Sequence, residues 1–129
     1  MHTLTFLKLE GLRGLSFAPR HIGDFEVTPY YTFGDQTLIG KKPNGLHRGS
    51  WTHLRVYKSN DTDNMQLRLA WTKEQIFRTG ELVIEEVSDA GHLIKTTAFK
   101  MRKIVIEKIS RHPHEDEIGL KFESMELTR

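Results

Sequence analysis

Residues 81–129 read ELVIEEVSDAGHLIKTTAFKMRKIVIEKISRHPHEDEIGLKFESMELTR, and their alternation decides the fold. ELVIEEV is a strand, SDAGH a tight turn, LIKTTAFKMRKIVIEKI a long strand, RHPHEDE a polar loop and IGLKFESMEL a last strand. Asp89-Ala90-Gly91 is a hairpin turn in which the glycine supplies positive φ. Long paired strands with almost no reactive side chains suit a protein whose product is a shape. Two features ask for more than a lone small barrel. Ile118, Leu120 and Phe122 put even positions in the core, whereas Met125 and Leu127 are apolar on odd ones. A strict strand cannot exchange faces, so either a bulge near Ser124 flips the register or the last residues meet a second surface, such as a neighbouring subunit. Ile104, Val105 and Ile106 are consecutive, which asks for cover on both faces. The barrel interior covers one; a helix or another subunit covers the other.

Working toward the N-terminus, Thr5, Leu7 and Leu9 alternate with Phe6, Lys8 and Glu10, the period of a half-buried strand. Residues 11–19 form a turn region. Residues 22–33 carry β-formers interrupted by Pro29, which predicts an edge strand or a bulge. Residues 33–50 hold four glycines, Pro43 and Asn44, with Lys41 and Lys42 at the middle. They have no period of their own, and long loops of this kind are commonly functional or disordered. Strand character resumes over residues 51–57. The single helix is expected over residues 61–71, with Asp61 or Thr62 as its cap. Met65, Leu69 and Thr72 would form one narrow stripe toward a sheet. A break over residues 72–79 leads to Gly80. The expectation is a mainly β fold: one antiparallel β domain over residues 1–129 with one short α-helix.

A chain of 129 residues is one domain by size and long enough to bury a core. Its longest uninterrupted apolar run is about three residues, far below a membrane span, so no membrane insertion is expected. The opening MHTLTFLKLEG has no basic stretch followed by an apolar one, so no signal peptide is expected. The absence of cysteine excludes disulfides and thiolate chemistry and fits synthesis in a reducing cytoplasm. A formal charge of +2 is mild for a dedicated nucleic-acid binder.

Motifs that carry chemistry are scarce. His112 and His114, beside Glu115 and Asp116, have a residue set that suits zinc or nickel. Pro113 breaks the strand between them, and spacing specifies no distant third ligand, so a solvated loop is the simpler reading. The remaining histidines have no partner at motif spacing. No serine lies in a nucleophile elbow, and no glycine spacing cradles a phosphate. Glu85 and Glu86 point to opposite faces of a strand. The chain is therefore not expected to be an enzyme or to hold a cofactor or metal. Lys41-Lys42, His47-Arg48 and Lys100-Arg102-Lys103, with Trp51, Tyr30 and Tyr31 for stacking, allow a polymer-binding alternative. Against it, acidic residues interleave with the basic ones on the same strands, a pattern equally suited to contacts between identical subunits.

In its order of elements the chain resembles the haemolysin-coregulated protein (Hcp) family, the inner-tube proteins of type VI secretion systems. FLKLEG resembles the family's first strand, IGDFEV its second, FGDQTLIGKKPNGLHRGS its extended loop and SNDTDNMQLRLA its short helix. VSDAGHLIKTTAFKMRKIVIEKIS and IGLKFESMEL carry the resemblance furthest, as hairpin turn, long strand and late strand. The resemblance implies a single flattened antiparallel β-barrel of two packed sheets with the helix on its side. It implies homo-hexameric rings that stack into a tube for effector delivery, driven by a contractile sheath behind a spike tip. It implies export from the bacterial cytoplasm by the machine itself. The loop at 33–50 would then join rings, with Phe33, Asp35, Gln36, Leu38, Ile39, Lys41 and Lys42 as stacking residues. Ile104, Ile106, Met125 and Leu127 would lie between subunits. Family members usually carry a further strand after the late one; here the sequence reaches only Arg129, which implies a changed stacking geometry, a divergent branch, or the tail tube of a related phage-like particle. The other function classes open to the residues are a small barrel that binds nucleic acid or another polymer and a ligand-binding module.

Overall fold

Alternating apolar residues produce seven strands among the residues that the computed structural model describes, which are 2–18, 20–28, 31–33 and 52–128. In chain order these are β1 (His2–Leu9), β2 (Phe25–Val27), β3 (Tyr31–Phe33), β4 (Thr52–Ser59), β5 (Ile76–Val87), β6 (Leu93–Arg111) and β7 (Glu115–Leu127); α1 (Asn64–Thr72) lies between β4 and β5. All pairings are antiparallel, in the order β2-β1-β5-β6-β7-β4-β3. The one sheet curls until Thr28 N–H, just beyond β2, donates to the Tyr57 carbonyl of β4 at 2.8 Å. That contact draws the sheet toward a barrel whose two halves face each other across the core. The mainly β expectation with one short helix holds.

The core is filled by the inward rows of this sheet. Leu7, Leu82 and Phe99 are register partners across β1, β5 and β6, and all three are buried. Leu54, Leu120 and Ile106 form the equivalent row on the other half. The Asp89–Gly91 turn forms as expected: Gly91 has φ +86, and Ser88 N–H donates to the His92 carbonyl at 2.8 Å. The polar loop is shorter than its composition implies, because β6 runs to Arg111 and β7 begins at Glu115.

The face exchange in the last strand has a different cause from a register slip. Arg102 pairs with Ser124 and Ile104 with Phe122, so the register is continuous past Ser124. Instead, three strands change faces together. Buried positions step from Phe77 to Gly80 in β5, from Ile104 to Met101 in β6 and from Phe122 to Met125 in β7. Lys103 sits at the centre of this line with φ 52, the left-handed region that reverses the pleat. A Cβ at Gly80 would lie 2.8 Å from both Ile104 Cδ1 and the Lys8 carbonyl, so only glycine fits there. The register shift between β6 and β7 lies elsewhere, between Ile106 and Lys108.

The helix differs from its sequence expectation. Its bounds are Asn64–Thr72, Asp63 occupies the cap position, and the buried residues are Asn64, Leu67 and Ala70. Met65 and Leu69 are exposed, at 73% and 54%. The phase is set by a polar anchor that hydrophobic periodicity does not register. Asn64 Nδ2 donates to Asp116 Oδ2 at 2.8 Å and Arg68 Nη2 to the same oxygen at 3.0 Å. At the far end, Trp71 Nε1 donates to the Glu107 carbonyl at 3.1 Å, beside the register shift. The helix thus packs on β6 through Leu67 and Ala70, which join the main core.

Candidate assembly surfaces

The outer surface carries apolar groups that the chain does not cover. At the β5–β6 hairpin, Leu93 and Ile94 are 41% and 58% exposed, and Leu127 at the end of β7 is 44% exposed. This end of the sheet also has an open edge. β6 pairs with β5 from Leu93 onward, but its ladder to β7 starts only at Phe99. Thr128 N–H extends the contact by one bond, to the Ala98 carbonyl at 2.8 Å. Among the described residues, the β7-facing edge of residues 93–97 has no strand beside it. An open edge with apolar side chains invites another strand.

A second apolar group projects from the connection between β1 and β2. Leu15, Phe17 and Ile22 are exposed, Phe17 to 87%. The backbone beneath them is held firmly. Gly14 N–H donates to the Gly23 carbonyl at 2.7 Å and Ser16 N–H to the Asp24 carbonyl at 3.1 Å. Leu15 N–H donates to Asp63 Oδ2 at 3.0 Å, and Arg13 N–H to Gln66 Oε1 at 3.2 Å. Asp63 in turn holds Lys58, whose ammonium is buried in the barrel wall. A Cβ on Gly14 would clash with the Asp24 carbonyl oxygen, so this strap closes only with glycine at that position.

The charged faces are interleaved. Lys100 in β6 has Glu81 and Glu126 as register partners on its two sides. Lys103 pairs with Glu123 at 3.0 Å, and Arg78 with Glu10 at 2.8 Å. The hydrogen bond from Arg78, with one from Thr79, holds the Glu10 carboxyl below its ordinary pKa. His112 lies 3.7 Å from Glu117, and no group of three or more metal-ligating side chains converges among the described residues.

No family model matches the sequence, and no curated protein matches it. Solved structures do. Hcp3 from Pseudomonas aeruginosa, described as a secreted protein, superposes with a TM-score of 0.74 over 99% of this chain and 91% of its own, at 13% identity. Hcp1 from Salmonella typhimurium gives 0.72 over 95% and 82%, at 17% identity. A type VI secretion system effector from Yersinia pestis gives 0.71 over 94% and 85%, at 14% identity. The fold is the Hcp fold.

The Hcp-like framework places the expected site residues unevenly. Of the stacking-loop residues, Phe33 ends β3, and Asp35, Gln36, Leu38, Ile39, Lys41 and Lys42 lie outside the described residues. Of the four interface candidates, Ile104, Ile106 and Met125 point into the chain's own core, at 0%, 2% and 3% exposure. Ile104 and Ile106 lie on the inward rows with Phe122 and Leu120, and the face exchange at Lys103 turns Met125 inward as well, which leaves Leu127 as the accessible one. Sequence reasoning passed over Ile94 because it reads as an ordinary alternating strand residue. The signal available was the length of β6, which outruns the strands on either side.

Proposed function

We propose that this chain is the structural tube subunit of a type VI secretion system, closing into rings of six that stack into a conduit for effectors. The observation that carries this is the match of nearly the whole chain to Hcp structures at TM-scores of 0.72 and 0.74. The open edge at residues 93–97, with Leu93, Ile94 and Leu127 beside it, supports assembly, because a lone barrel would leave that surface wet. The edge and the β1–β2 strap are different surfaces, as a head-to-tail ring requires. No helix among the described residues is long and apolar enough to cross a membrane. In this reading the chain is not an enzyme and needs no cofactor. It is made in the bacterial cytoplasm and leaves through the machine, propelled by the sheath behind the spike tip.

Residues 33–50 then join one ring to the next. Replacing Leu38 and Ile39 together by Asp should leave single rings intact in negative-stain images and abolish their stacking. Tubes of unchanged length from the double variant would remove the loop from this role.

A further inference from the structure

The strap between β1 and β2 is closed by a compact charge cluster. The face of the sheet turned away from the main core carries a buried row, Phe6, Val83 and Ala98, which are register partners in β1, β5 and β6. The next position on β5 along that face is Glu85, only 2% exposed. The strap lays His21 over this surface. The imidazole stacks on Phe6 with ring centroids 4.2 Å apart and 14° between planes, and it is 8% exposed. Its Nδ1 is 3.1 Å from Asp24 Oδ2 and its Nε2 is 3.3 Å from Glu85 Oε2. Arg20 completes the cluster, with Nε 2.9 Å from Glu85 Oε2.

The two ring nitrogens therefore face two different carboxylates. A neutral imidazole has one N–H and one lone pair, so one nitrogen would turn its lone pair toward an anion. Only the imidazolium presents a proton on each side. The Nε2 contact is out of hydrogen-bond alignment, so it is a charge contact, and its sign depends wholly on that proton. With His21 charged, two cations (Arg20 and His21) balance two anions (Asp24 and Glu85). Without it, the buried site holds an excess negative charge. The groups facing the imidazole are Asp24 and Arg20 from the strap and Glu85 from β5; β1 contributes the uncharged Phe6 ring, whose face favours a cation.

We propose that the strap formed by residues 11–18 and 20–24 is a pH-sensitive latch, closed on the sheet by charged His21 and loosened when that histidine loses its proton. Opening would release the strap that carries Leu15, Phe17 and Ile22 and uncover Phe6 beneath it.

Amide exchange of the full chain tests this, read as protection factors at Arg13 and Leu15, whose N–H groups tie the strap to Gln66 and Asp63. Amides of β7 serve as the internal reference. Between about pH 6 and about pH 8.5, strap protection relative to β7 should fall roughly tenfold, the size expected for loss of a charge-assisted contact. His21→Gln should show the low value at both pH values while β7 stays protected. A wild-type ratio that does not change with pH would overturn the proposal, as would an equal fall in His21→Gln. If His21→Gln loses β7 protection as well, Glu85→Gln decides. It removes one of the two anions and should shrink the pH response; a response as large as the wild type's would count against the latch.

Discussion

Single residues in this fold carry charge into places where only a partner makes it tolerable. Lys58 is buried in β4 and paired with Asp63, and Asp116, its register partner in β7, is held by Asn64 and Arg68. Removing one member of a buried pair leaves the other charge unsolvated, which typically costs about 3–5 kcal/mol. Lys58→Met should lower the unfolding free energy obtained from urea titration by that amount, whereas Lys73→Met on the exposed end of the helix should leave it within about 0.5 kcal/mol. Glu85 makes a prediction in pH. Burial pushes its carboxyl up, but Arg20 and His21 outweigh burial and hold it below its ordinary value. A depressed carboxyl stabilises the fold at neutral pH and loses that contribution as pH falls through its folded-state value. The stability gap between wild type and Glu85→Gln should therefore be full near neutrality and close as the pH drops below the ordinary carboxylate range, as thermal melts across pH would record. None of these pairs was legible in the sequence. Asn64 and Asp116 lie 52 positions apart, and nothing local marks either as buried.

At the scale of the element, alternation was legible wherever a strand has one wet face. It located most of β1, β4, β5, β6 and β7, and the turn at Asp89–Gly91 followed from glycine chemistry. It failed where a polar residue sets the phase. Met65 and Leu69 looked like the buried stripe of the helix, yet the buried face runs through Asn64, Leu67 and Ala70. It also misassigned the cause of the face exchange in β7, because that exchange belongs to three strands and is centred on another one, at Lys103. A non-glycine residue in the left-handed region costs roughly 1–2 kcal/mol relative to the ordinary one. Lys103→Gly should recover up to about 1 kcal/mol of this strain, since the exposed Lys103–Glu123 pair it removes is worth little. Lys103→Val, with its branched Cβ, should be destabilising. Equal denaturation midpoints for the two variants would show that the pleat reversal does not depend on this conformation.

For the whole molecule, the mainly β class and the Hcp-like order of elements along the chain were readable from sequence because alternation and turns mark each element locally. The sheet order, which sets β1 beside β5 and β7 beside β4, is marked by nothing local. The candidate surfaces were less readable. Exposure of Ile94 and Leu127 depends on where neighbouring strands end, and the burial of Met125 depends on a face exchange shared across three strands. The surface that emerges is an open edge with apolar groups at one place on the chain and the strap that carries Leu15, Phe17 and Ile22 at another. Two unlike surfaces on one subunit suit head-to-tail contacts, which close into a ring when the rotation between subunits closes, and in the proposed ring both would be covered. Native mass spectrometry of the purified protein measures this directly. The account predicts a dominant species of six subunits of 15.0 kDa each, with multiples of it as rings stack. A strictly monomeric chain at high concentration and low salt would contradict it.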